Sequence, residues 1–301
     1  MPIARVAIFL FSSVFSVSAF AQLPGALTTD PPVDKEHPAS MDAFQIPSPS
    51  GKSGTALNAI AYLAAGAGPH PVAIVLHGFP GNEKNLDLAQ AIRRAGWDAV
   101  FFDYRGSWGS PGSFSFGNSL EDTAAAIAYV RDPSNAARLR ADPKRIVLVG
   151  HSMGGFMAAY AGAHDPGILA IGMISAADMG GMGGQVASGK EEKTAIAELG
   201  KNLEKEDILP LAGCTGQSLA KELIANSKRW TFSAYADLIG NRPLLLVTSD
   251  DGLAPSSESL ADELLKQGSK RVTLKHFDTD HSYSDHRIAL EATVLNWLGT
   301  L

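Results

Sequence analysis

Apolar residues along this chain follow distinct patterns in different regions. Over Met41 to Ile46 and Thr55 to Leu63 they alternate with polar ones, the period-two signature of antiparallel strands at a sheet edge. The Pro/Ser/Gly sequence between them reads as the joining turn. From Pro71 the pattern becomes short, largely apolar runs, Val72 to Leu76, Asp98 to Phe102, Arg145 to Val149, Leu169 to Ile174 and Pro243 to Val247, with Arg271 to Phe277 as the last strand. Strands buried on both faces read this way. Between them lie helical stretches: Lys84 to Ala95, Glu121 to Val130, Gly155 to Ala163, Ser256 to Gln267 and Tyr283 to Leu298. Ser282-Tyr-Ser-Asp285 has the Ser-x-x-Asp form of a helix N-cap, so the last helix is expected to begin there. Buried strands alternating with helices of this length predict βαβ units and a mostly parallel sheet, an α/β fold.

Between Asp178 and Asn241 the alternation stops. Lys190 to Ile208 and Ser218 to Leu238 read as helices, the first with a solvated Lys/Glu face. Before them stands Met179-Gly-Gly-Met-Gly-Gly184, a run expected to be flexible, either a plain linker or a hinge lining a pocket. We expect residues 178–241 to be a helical cap over the C-terminal edge of the sheet.

Arg5 lies just ahead of Val6 to Val17, an almost unbroken apolar run, and Ala19-Phe20-Ala21 has the form of a small-x-small cleavage site. Residues 1–21 therefore read as a secretory signal peptide, and the chain as secreted or periplasmic. The run is too short to span a bilayer, which takes about 20 residues, so no membrane span is expected after signal removal. Residues 22–40, with four prolines, read as an extended leader, leaving 41–301 as the folded domain. The chain is 45% hydrophobic with a net charge of −6, and no basic cluster points to nucleic acid. Its single cysteine, Cys214, cannot form an internal disulfide, so an exported chain of this kind relies on its core.

The chemistry centres on Gly150-His151-Ser152-Met153-Gly154, between the apolar run ending at Val149 and the helix predicted from Gly155. A strand, a Gly-x-Ser-x-Gly turn and a helix form a nucleophile elbow, with the serine exposed at the sheet edge and free helix amides behind it. A serine hydroxyl needs a base and a group to orient that base. Of eight histidines, His281 lies in the loop between the last strand and the last helix, at the edge where the elbow sits. His286 is the fallback, expected inside the final helix; His276 and His151 read as structural. Asp250 and Asp251 both follow a strand end at that edge, and Asp178 is a further alternative. The order serine, aspartate, histidine is the one this fold uses.

With these residues in view the chain resembles the α/β-hydrolases, close to the esterase and to the prolyl-oligopeptidase-like or serine-aminopeptidase-like branches. The likeness runs from about residue 42 to the C-terminus, interrupted by the insertion. In such families the acid commonly stands four positions before a proline, as Asp251 does before Pro255, which favours Asp251 over Asp250. His281-Ser-Tyr-Ser-Asp-His-Arg287 is similar to the families' histidine motif. His77-Gly78-Phe79 resembles their oxyanion segment, implying that the Phe79 and Met153 backbone N–H groups hold the oxyanion. By the same likeness Asp103-Tyr-Arg-Gly-Ser-Trp-Gly matches the loop after the fourth strand, with Asp103 and Arg105 structural.

The expected function is a serine hydrolase of carboxylic esters, with Ser152, His281 and Asp251 as triad and no cofactor. The alternative substrate is a short peptide or other amide, as in an aminopeptidase. A non-catalytic binding protein on this scaffold is a third reading, disfavoured because a binder has no need of the full Ser/His/Asp set. A metal site among Asp278, Asp280, His281, Asp285 and His286 is the rival chemistry. No His-Glu-x-x-His or cysteine pattern supports it.

Overall fold

The computed structural model describes residues 24–49 and 56–301; the signal-peptide reading and the predicted turn near residue 50 lie outside them. In chain order the strands are β1 (Ser40–Ile46), β2 (Leu57–Leu63), β3 (His70–Leu76), β4 (Asp98–Phe102), β5 (Ala141–His151), β6 (Ala170–Ile174), β7 (Leu244–Ser249) and β8 (Val272–Phe277). Among the described residues they form one eight-stranded sheet in the order β1-β2-β4-β3-β5-β6-β7-β8. β1 pairs antiparallel with β2 and β2 with β4, and all other neighbours are parallel. The alternating segments are thus the antiparallel edge, the apolar runs of β3 to β7 are the buried interior, and the largely exposed β8 is the opposite edge.

Helices α1 (Leu86–Arg94), α2 (Phe116–Arg131), α3 (Pro133–Leu139) and α4 (Met153–His164) precede the insertion. The insertion contributes α5 (Met179–Ala187), α6 (Glu192–Glu204), α7 (Gly216–Ala225) and the short α8 (Ala236–Ile239). The chain closes with α9 (Ala254–Lys266) and α10 (Arg287–Leu298). Successive strand residues point to opposite faces, so each strand feeds two cores. In β5, Ile146 and Leu148 pack with Phe156 of α4 and Ile127 of α2, while Val147 and Val149 face Leu88 of α1 and Leu290 of α10. Each such side chain, fully buried, contributes on the order of 2 kcal/mol.

Three local readings change. Helix α2 begins at Phe116 rather than near Glu121, because Ser115 caps it by accepting from Asn118 N–H. The Ser282–Asp285 segment does not cap α10, whose N-cap position is His286. Asp285 instead accepts from the Thr279 hydroxyl, and Asp280 takes the Ser282 and Ser284 amides at 3.1 and 2.9 Å. The Met179–Gly184 run is helix α5, not a flexible stretch. Asp178 caps it at Gly181 N–H, and its glycines allow close approach: a Cβ on Gly180 would lie 2.6 Å from the Ser227 oxygen, and one on Gly183 2.7 Å from the Leu223 oxygen.

The leader is placed against the body. Residues 25–27 form a 3₁₀ turn, Ala26 and Leu27 pack on the α1/α10 core, and Arg94 Nε donates to the Ala26 carbonyl at 2.6 Å. The insertion is joined to the loop after β4: Ala212 N–H donates to Gly106, and Phe114 N–H to Ala212, at 2.7 and 2.8 Å. Arg105 and Asp103 of that loop pair internally, Arg105 with Asp122 and Glu121, and Asp103 with Lys84.

Candidate active site

Strand β5 delivers Ser152 into a sharp turn and α4 starts at the next residue. Ser152 has φ +58° and ψ −122°, a conformation costly for any residue with a Cβ. Main-chain bonds hold it: Ser152 N–H donates to the Ile174 carbonyl at 2.9 Å, and Gly155, Ala177 and Phe156 N–H donate to the Ser152 carbonyl at 3.0, 3.0 and 3.4 Å. The flanking glycines are steric requirements, since a Cβ on Gly150 would run into the Gly154 carbonyl and one on Gly154 into that of Leu76.

His281 sits in the loop after β8, and Asp251 in the loop after β7. His281 Nδ1 lies 2.7 Å from Asp251 Oδ2, and Asp251 Oδ1 accepts Leu253 N–H at 2.8 Å. Burial pushes the Asp251 carboxyl up, but the His281 and Leu253 hydrogen bonds outweigh it and hold the group well below the usual carboxylate range. An ionised carboxylate only accepts, so His281 Nδ1 carries the donated proton and Nε2 of the neutral ring is left as a base.

The alternatives go elsewhere. Exposed Asp250 meets His276 Nε2 at 3.2 Å, and Asp178 binds Gly181 N–H and the Thr231 hydroxyl, both at 2.9 Å. His286 pairs with Asp285 at the start of α10. Of the five residues of the rival metal reading, His281 pairs with Asp251, His286 with Asp285, Asp280 accepts the Ser282 and Ser284 amides, and Asp278 lies 3.7 Å from His276. The described residues do bring Asp250, His276 and Asp278 together, all three exposed.

Among the described residues neither Phe79 N–H nor Met153 N–H has a main-chain partner. The Gly78 carbonyl, which shares its amide with Phe79 N–H, accepts from His77 Nδ1 at 2.8 Å. Burial pushes the His77 pKa down to about 3, so this ring is a neutral donor.

Phe79, Ser152, Met153, Asp251 and His281 line one cavity of about 510 Å³. The insertion supplies much of the remaining wall: Met179, Met182 and Val186 of α5, and Leu199 and Leu203 of α6. The sequence had suggested Met179 and Met182 through the Met/Gly run, but carried no signal for the other three, which face the cavity only through helix packing. Among the described residues no helix is long and apolar enough to cross a membrane.

The chain is 33% identical over 110 residues to the uncharacterized protein YfhR of Escherichia coli (strain K12), covering 35% of this chain and 36% of that one. The Salmonella typhimurium relative is 36% identical over 96 residues, 31% of each chain. The match therefore spans about a third of the length of these curated relatives. Among solved structures, an esterase of Pyrococcus furiosus superposes with a TM-score of 0.61 at 17% identity, covering 90% of this chain and 97% of that one. Est1E from Butyrivibrio proteoclasticus, solved with ferulic acid bound, gives 0.64 at 21% identity, covering 86% and 98%. Pyrococcus horikoshii acylaminoacyl peptidase gives 0.61 at 18%, covering 87% of this chain and 41% of that one. These likenesses establish the fold. The profile of the alpha/beta hydrolase family matches residues 73–292, and the chain belongs to that family.

Proposed function

We propose that the protein is an exported serine hydrolase that cleaves carboxylic esters through an acyl-enzyme. The observation that carries this reading is the 2.7 Å His281 Nδ1–Asp251 Oδ2 hydrogen bond in the cavity that Ser152 lines. Ser152 Oγ attacks the acyl carbon while His281 Nε2 takes its proton. The oxyanion that forms is held by Phe79 and Met153 N–H, the latter at the positive end of α4. The carbonyl re-forms as the C–O bond to the alcohol breaks, and His281 returns the proton to that alcohol. A water then attacks the acyl-enzyme, giving its proton to His281, and the acid leaves as Ser152 is reprotonated. Among the described residues the Ser152 hydroxyl makes no hydrogen bond; such contacts often tighten only in the substrate complex.

The cavity wall supports an ester rather than an aminoacyl amide. A free amino terminus calls for carboxylates inside the pocket. The lining carboxylates here are Asp251, engaged by His281, and Glu206, which is exposed. Met179, Met182, Val186, Leu199 and Leu203 form instead an apolar surface suited to an acyl chain. Aryl esters of graded acyl length, run beside aminoacyl amides, test the assignment. Turnover of the esters is expected, and a preference for the amides would reverse it. Export rests on residues 1–21, and N-terminal sequencing of the mature protein tests it: a chain still starting at Met1 would rule it out.

A further inference from the structure

His151, the residue before Ser152, is 4% exposed and has no part in the chemistry above. Its Nε2 lies 2.8 Å from the main-chain oxygen of His281. A carbonyl only accepts, so Nε2 carries the proton. Nδ1 is then bare, and among the described residues it is buried without a partner. The two imidazoles pack with centroids 4.6 Å apart and planes tilted by 45°. Burial above all pushes the His151 pKa down to about 3, outweighing the hydrogen bond to the His281 carbonyl and the Asp251 charge, which favour protonation. The ring therefore stays a neutral donor at neutral pH.

The loop carrying His281 needs anchoring from outside. Its side chain is 39% exposed, and Asp280 satisfies amides of the loop itself. Tyr283 reaches the Ser175 hydroxyl at 2.9 Å and Arg287 holds the Ser282 carbonyl at 3.0 Å. Asp251 fixes the ring through Nδ1. Of these anchors, His151 alone is covalently next to the nucleophile.

Resting on the serine-hydrolase reading, we infer that His151 is a positioning residue whose Nε2–H bond to the His281 carbonyl registers the base's loop against the nucleophile strand. The bond sets the Ser152–His281 separation directly, whereas Asp251 sets the tautomer and ring rotation. Misplacing a reacting group by about 1 Å costs on the order of 10²-fold in rate.

The test compares His151→Met, which keeps the bulk and loses the donor, with His151→Gln, whose amide nitrogen reaches as far as Nε2. Active sites are counted by stoichiometric organophosphate labelling of Ser152. Turnover of an aryl acetate is then taken per labelled site, with the pH profile of kcat/KM. His151→Met is expected to lower kcat by about 10- to 100-fold with KM nearly unchanged, and His151→Gln to recover most of the loss. The profile should keep its shape and drop in height, because His151 does not itself titrate near neutral pH. Wild-type kcat per labelled site in His151→Met, with only the Tm lowered, overturns the inference. So does a His151→Gln enzyme as slow as His151→Met. If His151→Met does not accumulate folded, His151→Asn takes its place, its amide one carbon too short to reach the His281 oxygen, with the same two outcomes. Failure of wild-type Ser152 to be labelled sinks the serine-hydrolase reading as well, and is thereby told apart from failure of the tether alone.

Discussion

The Glu222 carboxylate of α7 accepts the Phe116 and Gly117 amides at 2.9 and 2.8 Å, so an acid of the insertion satisfies the first turn of α2. A carboxylate at a helix N-terminus also complements the helix dipole. Glu222→Gln is expected to cost about 1 kcal/mol and Glu222→Ala about 2, because the alanine leaves two amides without their acceptor. Urea unfolding measures both. Equal stability of all three proteins would show that the contact holds nothing.

The glycines of α5 separate into two kinds. Gly180→Ala and Gly183→Ala would drive a Cβ into main-chain atoms of residues 227 to 230 and 223 to 224, which cannot step aside. Each should destabilise by about 1–3 kcal/mol and reshape the cavity wall at Met179 and Met182. At Gly184 the nearest atom is Ser227 Cβ at 3.5 Å, an ordinary contact. Gly184→Ala should therefore raise stability by about 0.5–1 kcal/mol, as alanine does inside a helix. Thermal unfolding of the three variants checks the ordering. Gly184→Ala as harmful as the other two would contradict it.

Much of this architecture was legible beforehand because burial on both faces leaves a plain mark. Val72 to Leu76 and Ala99 to Phe102 are apolar throughout because both faces of β3 and β4 are covered. Ser152 could be proposed from its Gly-x-Ser-x-Gly turn between strand and helix, and His281 from its strand-end position, since parallel strands bring their C-terminal loops to one edge. The choice between Asp250 and Asp251 needed a family likeness, because adjacent residues diverge in direction and only long-range packing decides which one meets His281. Val186, Leu199 and Leu203 were not legible as cavity lining, because the face a helix turns inward depends on how α5, α6 and α7 pack together. The Met/Gly run misled for a related reason. Glycine permits flexibility, but here its missing Cβ is what lets α5 pack.

Asp98 gives a pH signature of stability. Its Oδ1 accepts Ala64 N–H at 2.8 Å, and burial raises its pKa to about 6. A carboxyl raised in the folded state binds its proton more tightly folded than unfolded. Its contribution is therefore present below the unfolded value near 4 and is lost as pH rises through about 6. Asp98→Asn keeps an acceptor for Ala64 and removes the titration. The variant should gain on wild type between pH 4 and 7.5, by on the order of 2–3 kcal/mol. A stability difference between the two proteins that does not change with pH would contradict the assignment.

The two adjacent aspartates should behave differently. Asp251→Asn leaves a neutral partner for His281 Nδ1 and is expected to lower kcat by about 10⁴. Asp250→Asn should leave kcat within about threefold of wild type, because Asp250 faces His276 at the exposed edge of β8. Steady-state kinetics on one aryl ester compares them, and the reverse ranking would move the acid to Asp250.

Every step of the proposed hydrolysis depends on Ser152 as the nucleophile. The direct measurement is ester turnover by Ser152→Ala beside the wild type, with organophosphate labelling mapped by peptide mass analysis. The expected result is a fall in kcat of about 10⁶, unchanged folding, and a label on Ser152 that disappears in the variant. A Ser152→Ala protein that keeps a tenth of wild-type turnover, or a label found on another residue, would contradict the account.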